Sequence, residues 1–395
     1  SDGRDPAALV QVAIDSESIA RFMADFLDRG PIYERVKAML ARYRALQEAG
    51  GWPLIKAGAT LKPGMDDERI AVVRQRLAAT GDLPAEQDNG STVFDDELRL
   101  GVVAFQDRHN LDRDGTIGSQ TLAAMNVTVD ERIDQIRVNL ERLRWVVRDL
   151  EDDFVVTNIA SFQTFLVRER EVVWSARSQV GRPYRETPVF TAKIKYLQFN
   201  PTWTVPPGIL AKDILPAVQK DVGYLAKKNM DLVNRDGEKV DPATIDWSQY
   251  GSGRMPPFQF VQRPGPGNAL GRVKFIFPNS HFVFLHDTPS KALFERTERT
   301  FSSGCIRVEN PFEFAELLLD DARKWNADSI QALLDTEKPQ TVFLKEPLTV
   351  MLLYGTVGLL DDDVVYFYRD IYGRDARVLK SLESDFKFRS PENMS

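Results

Sequence analysis

Near residue 150 the chain changes texture, and that change constrains its fold more than any other feature. Before it, apolar residues recur at helical spacing: Ile70, Val73, Leu77, then Leu98, Val102, Phe105, then Ile133, Ile136, Leu140, Leu143. After it come short β-branched and aromatic runs bounded by turns: Val155-Val156, Phe165-Leu166-Val167, Val172-Val173-Trp174 and Ile194 to Phe199. The first pattern predicts amphipathic helices and the second predicts strands. A chain of 395 residues divided this way predicts a multidomain α+β protein, helical first and β-rich second, with the boundary at Leu150 to Asp153.

Punctuation refines the division. Ile19, Phe22 and Phe26 mark one helix and Val36, Leu40 and Tyr43 a second, separated by Gly30-Pro31 and ended by Gly50-Gly51-Trp52-Pro53. Residues 1–65 therefore read as part of a helical scaffold that resumes at 127–152, with a three-helix unit at 66–126 between them. The β-rich domain is predicted over 153–380, followed by a polar tail at 381–395 that frays beyond Leu379. Residues 207–230 have helical composition, whereas 251–271 hold nine Gly or Pro in 21 positions, too many for regular helix or a central strand. Strands resume at Val273–Phe277 and Phe282–Leu285. A helix is predicted from an Asn310 cap, with Pro311 first, Glu313 closing a capping-box pattern, and Phe314, Leu318, Ala322 and Trp325 as its stripe.

Composition removes several kinds of chemistry. One cysteine excludes intrachain disulfides and cysteine-paired zinc sites, and three histidines leave little for a histidine metal centre. A net charge of −7 argues against a nucleic-acid groove. No apolar run is long enough to span a bilayer, and Ser1-Asp2-Gly3-Arg4-Asp5 lacks a signal-peptide core. Opening without methionine, the chain reads as a processed form or a cut piece of a longer one. Asn110-Leu-Asp112-Arg-Asp114-Gly115 copies the first half of a calcium loop, but its twelfth position is Thr121 where a bidentate Glu belongs; a helix-to-helix turn is the preferred reading.

The single thiol, Cys305, follows Ser302-Ser303-Gly304. Such a tight turn presents a sulfur where consecutive N–H groups converge, as in an oxyanion hole. A cysteine of ordinary pKa is only a few per cent thiolate at neutral pH, and a neighbouring imidazole is the usual remedy. His109 belongs to the helical unit. His281 and His286 bracket Phe282 to Leu285, and strand alternation points them to opposite faces, which disfavours a shared metal. His286, followed by the turn-forming Asp287-Thr288-Pro289, stands at a strand end opening into a pocket; His281 reads as a surface or loop residue.

Two resemblances follow from these motifs. Phe105-Gln106, Leu111, Asp114-Gly115, Gly118 and Thr121-Leu122 resemble the peptidoglycan-binding domain of bacterial wall enzymes. His286, with Cys305 nineteen positions later in Ser-Ser-Gly-Cys-Ile-Arg-Val, resembles the YkuD-type L,D-transpeptidases, many of which carry His where this chain has Ser303. Asn200 to Pro207, Pro264 to Gly271, Leu285 to Pro289 and Asp370 to Asp375 are similar to a multidomain, YcbB-like subgroup.

The second resemblance implies that Cys305 attacks the third residue, meso-diaminopimelate, of a tetrapeptide stem and expels D-alanine. His286 acts as base and then acid, and the amides of Ser303, Gly304 and Cys305 hold the oxyanion. A backbone carbonyl orients the imidazole, and an amine of a second stem resolves the thioester into a 3→3 cross-link without metal or cofactor. Arg307 binds a substrate carboxylate or is simply an exposed strand charge. Trp203, Phe284 and Ser302 are further substrate-side candidates, with core packing explaining Trp203 and Phe284 nearly as well. Residues 207–272 resemble a capping subdomain over the site. Stem peptides and glycan are the implied partners, other cell-wall synthesis proteins are possible ones, carbapenem β-lactams are covalent inhibitors, and the protein is expected to be a periplasmic monomer, anchored if at all by a segment outside this chain. An L,D-carboxypeptidase shares the first half-reaction, and a noncatalytic wall-binding scaffold is the alternative of a different class. A papain-like protease is disfavoured because every histidine precedes Cys305.

Overall fold

Helix punctuation in the first part of the chain is carried out by side chains that the sequence makes visible. In the computed structural model, which describes residues 30–146, 150–251, 253–359 and 364–385, the first helices are α1 (Pro31–Glu48), α2 (Arg69–Thr80), α3 (Asp96–Arg108), α4 (Ser119–Met125) and α5 (Val129–Arg144). The expected helix around Ile19, Phe22 and Phe26 lies outside the described residues. Asp95 caps α3 by accepting from the Leu98 amide at 2.9 Å, and Thr128 with Glu131 forms a capping box on α5. Ile70, Val73, Leu77, Leu98, Val102, Phe105 and Met125 close one core, so the three-helix unit folds around the stripe read from its periodicity. In the Asp114-Gly115 turn the Asp114 carboxylate accepts from the Thr116 amide and from Gln106, and Gly115 takes a φ of 68°.

The chain forms two units, residues 1–150 with 356–395, and residues 151–355. The second unit is built on β1 (Phe154–Asn158), β2 (Gln163–Arg168), β3 (Glu171–Gly181), β4 (Phe190–Phe199), β5 (Trp203–Thr204), β6 (Met230–Val233), β7 (Lys239–Val240), β8 (Gln259–Gln262), β9 (Val273–Ile276), β10 (Leu285–His286), β11 (Thr300–Ser302) and β12 (Ile306–Val308). Helices α6 (Pro311–Leu319) and α7 (Ala327–Asp335) and the long β13 (Gln340–Leu353) follow. The main sheet runs β11-β3-β12-β10-β9-β4-β13-β1-β2, and β2 pairs again with β3, so the sheet closes on itself. A separate sheet, β5-β8-β6-β7, joins the helical turns of residues 207–227 in an insertion whose core includes Leu215, Val218, Leu232, Trp247 and Phe260.

Four local expectations are corrected. The Gly/Pro-dense stretch does hold a strand inside a sheet, β8, because Gln259-Phe-Val-Gln262 is free of both residues between Pro257 and Pro264. The strand expected over Phe282–Leu285 is reduced to Leu285–His286, because Phe282 takes a positive φ of 55°. Asn310 makes no side-chain cap; it sits in the left-handed region, and Glu313 instead accepts from the Trp174 indole at 3.0 Å. Helix α6 stops at Leu319, where Asp320 turns left-handed, so Ala322 is exposed and outside the stripe.

The β-rich domain also ends earlier than 380. Residues from Thr356 onward return to the helical unit: the hairpin β14 (Val357–Leu359) and β15 (Val365–Phe367) adds Val365 and Phe367 to a core made by Tyr33, Val36, Tyr43, Trp52 and Ile136. Asn139 fastens it, exchanging hydrogen bonds with Thr356 at 2.7 and 2.9 Å. Helix α8 (Asp375–Glu383) continues past Leu379, where fraying was expected. The motif Asp370 to Asp375 serves this packing: Asp370 accepts from the amides of Arg374 and Asp375, and Asp375 bonds Arg142 and Thr356.

Candidate active site

Strand register assembles the site. Strands β10 and β12 lie parallel with Leu285 opposite Ile306 and His286 opposite Arg307, while β10 and β9 lie antiparallel with His286 opposite Lys274. Side chains alternate along a strand. Leu285, Ile306 and Phe275 therefore share the fully buried face, and Phe275 packs on Phe314 of α6 with ring centroids 4.7 Å apart. The other face carries Gln179, Arg307, His286, Lys274 and Gln198 in a row across five strands.

Cys305 ends the turn just before β12, next to this row. Gly304 takes a φ of 116°, a conformation open to glycine and rarely to other residues. Behind the turn, buried Thr187 donates to the Gly304 carbonyl and accepts from the Gly181 amide, both at 2.9 Å. A Cβ on Gly181 would stand 2.1 Å from the Arg185 carbonyl, so the backbones meet too closely there for any side chain.

The thiol donates to the Phe282 carbonyl at 3.8 Å. That carbonyl is turned by the left-handed backbone at Phe282, whose ring is 80% exposed. Burial raises the Cys305 pKa; a hydrogen bond from the Phe284 backbone and the charges of Lys274 and Arg307 oppose it. His286 is buried and bonds through Nδ1 to the backbone carbonyl of Asp287. A carbonyl only accepts, so Nδ1 carries the proton and the lone pair lies on Nε2. Burial pulls the imidazole pKa down to about 3, with Arg307 and then Lys274 pushing the same way against the Asp287 and Leu270 carbonyls. The ring at rest is a neutral base.

The remaining expected residues divide. Ser302 is structural: its hydroxyl accepts from the Gly304 amide at 3.0 Å and donates to the Cys305 carbonyl. The Gly304 amide is thereby engaged, which corrects its expected place in an oxyanion hole. Ser303 is exposed, and its hydroxyl accepts from Arg185 Nη1 at 2.8 Å; the same nitrogen meets Asp213 of the insertion at 3.1 Å. Arg307 is half-buried on the site face, bonded to Gln179 at 3.1 Å, so it is not an exposed strand charge. Phe284 is half-buried beside the thiol, whereas Trp203 packs against the core of the insertion. His281 is exposed beside Phe190, and His109 is buried in the helical unit, stacked on Phe105 at 3.8 Å. Sequence reasoning missed Lys274 and Arg185. Lys274 carried a usable signal, a lysine inside an otherwise apolar strand, Val273-Lys-Phe-Ile276.

Comparison with known proteins finds two family matches along the chain. Residues 152–331 match YkuD, described as "L,D-transpeptidase catalytic domain", and residues 66–125 match a "Putative peptidoglycan binding domain". A Haemophilus influenzae protein named "Putative L,D-transpeptidase" is 33% identical over 244 residues, which are 62% of this chain and 48% of that protein. The chain thus spans about half the length of that relative. Among solved structures, an L,D-transpeptidase from Stackebrandtia nassauensis has 12% identity and a TM-score of 0.28, covering 76% of this chain and 96% of that one. An LD transpeptidase in complex with imipenem has 12% identity and a TM-score of 0.24, covering 52% of this chain and 64% of that one.

Proposed function

We propose that this chain, which carries a YkuD L,D-transpeptidase catalytic domain and a peptidoglycan-binding domain, forms 3→3 cross-links in peptidoglycan by cysteine acyl transfer. The observation that carries the reading is a neutral imidazole on β10 and a thiol in the glycine-dependent turn that enters the adjacent, parallel β12.

Cys305 Sγ attacks the carbonyl of the third stem residue. Its proton passes to His286 Nε2 and on to the leaving D-alanine nitrogen as the C–N bond breaks. A ring held this far toward the neutral form takes the proton as the attack proceeds, and the Asp287 carbonyl keeps Nε2 as the acceptor. With the Gly304 amide engaged, the amides of Ser303 and Cys305 face the oxyanion. An amine of a second stem then attacks the thioester and restores the thiol. Arg307 supports binding of a stem carboxylate, since among the described residues its buried Nε has no hydrogen-bond partner. The insertion, tied to the nucleophile turn by Arg185, helps decide whether amine or water reaches the thioester. The motifs from Asn200 to Asp375 support the YcbB-like subgroup, and the substrate supports a periplasmic location and a role beside other cell-wall synthesis proteins. A carbapenem is a substrate analogue of this chemistry: thiolate attack opens its lactam, the nitrogen stays on the adduct, and Cys305 gains the whole inhibitor mass.

Incubation of the protein with disaccharide-tetrapeptide tests the reading by mass spectrometry. Loss of D-alanine with dimer formation, both abolished in Cys305→Ala, is the expected result. Trimming to tripeptide without dimer makes it an L,D-carboxypeptidase, and binding of sacculi with neither product makes it a scaffold.

A further inference from the structure

One charge on the catalytic face has no place in that mechanism. Lys274 stands on β9 across from His286, half-buried, with Nζ 3.8 Å from the centroid of the Phe284 ring. Among the described residues no carboxylate pairs with this ammonium and no acceptor hydrogen-bonds it. A half-buried cation without a counter-ion is costly, so its retention calls for an anion that arrives or forms nearby.

The anion available on this face is the Cys305 thiolate. The ionisable groups facing the sulfur are His286 from β10, Arg307 from β12 and Lys274 from β9, with Arg182 beside Arg307; Gln179 and Gln198, which complete the row, are uncharged. His286 is neutral and stands between Arg307 and Lys274, so an imidazolium there would meet a cation on each side. Arg307 also has no carboxylate beside it among the described residues, but it hydrogen-bonds Gln179 through Nη1 and its open Nε already has a place in binding the stem carboxylate. Lys274 is the charge without a role in the mechanism, and Phe284 couples it to the sulfur: the ring lies under Nζ while the backbone of the same residue bonds Cys305.

We propose that Lys274 is a positioning residue whose charge keeps Cys305 ionisable in the free enzyme, a role the imidazolium of His286 does not fill. Burial holds the lysine below its ordinary pKa and the Cys305 thiolate pulls it back, as reciprocal coupling requires. The inference rests on Cys305 being the nucleophile of the proposed reaction.

The test is the pH profile of alkylation of the full chain by iodoacetamide, a neutral reagent from which the thiolate displaces iodide, read by mass. Lys274→Met is expected to move the midpoint up by about one unit and to slow alkylation at pH 7 about tenfold, with Lys274→Arg close to wild type. Lys274→Gln replaces the methionine variant if thermal unfolding shows that variant unfolded. A folded neutral variant with the wild-type midpoint overturns the inference, as does an arginine variant shifted as far as the methionine one, since that marks shape and not charge. Alkylation needs no peptidoglycan. A shifted midpoint in a protein that turns over no tetrapeptide therefore overturns the transpeptidase reading alone, while normal turnover with an unmoved midpoint overturns this inference alone.

Discussion

Lowering the pH from 7 to 5 should destabilise the β-rich unit through His286. In the folded chain its imidazole titrates at about 3, against about 6.5 in an unfolded chain. The folded pKa is the lower one, so the unfolded state binds the extra proton. Stability is full above about pH 6.5 and drains as pH falls toward the folded value. At pH 5 the folded ring is still neutral, so the loss depends only on the unfolded pKa and comes to about 2 kcal/mol relative to pH 7. His109, also buried and held well below its ordinary pKa by desolvation, adds a loss of the same sign in the helical unit, so the single-protein pH dependence does not isolate His286. The comparison that does is wild type against His286→Gln, each unfolded in urea at both pH values. The variant's loss between pH 7 and 5 should be smaller by about 2 kcal/mol. Equal losses refute the neutral, buried imidazole, as do ¹⁵N shifts of a protonated His286 ring at pH 5.

Two further outcomes are expected from the turn that holds the nucleophile. Thr187→Val keeps the shape but removes the bonds to Gly181 and Gly304, so the urea midpoint should fall by the equivalent of about 2 kcal/mol and Cys305 alkylation should slow. Arg185→Gln releases Ser303 and Asp213, the latter half-exposed, so unfolding should shift by less than about 1 kcal/mol while tetrapeptide turnover drops severalfold in the same preparation.

What was legible in the sequence was whatever a local pattern encodes. Helix α5 could be read from its stripe of Ile133, Ile136 and Leu140, and strands β1 to β4 from their β-branched runs, because period and propensity act within a few residues. Cys305 and His286 were legible for the same reason, each lying inside a short motif. The misreadings share a different cause. Asn310 looks like a cap but takes the left-handed conformation, and Phe282 leaves the strand because its backbone turns; both depend on how the chain must travel between distant elements. The return of Val365 and Phe367 to a core begun by Tyr33 joins residues more than 300 positions apart. Lys274 meets His286 only through the register of β9 on β10, which no single segment specifies. The Gly304 amide looked available until the Ser302 hydroxyl was seen bonded to it.

The group that sets the tautomer of His286 is a main-chain carbonyl, and this shapes how the site can vary. No side-chain replacement deletes a carbonyl, so an alanine scan passes over the contact, and drift at residue 287 acts on it only by displacing the backbone. That backbone is held by the Asp287 amide, which donates to the Val273 carbonyl at 2.9 Å, and by the Asp287 side chain, which accepts from the Arg272 amide at 2.8 Å and pairs with Lys291. It fits because Gly271, at a φ of 63°, leaves the space open: a Cβ there would lie 2.4 Å from the Asp287 carboxyl group. Change in the base's orientation can therefore pass through Gly271 and Asp287, and a compensated pair of substitutions at 271 and 287 is a route by which a lineage could retune proton transfer while its nucleophile and base stay the same.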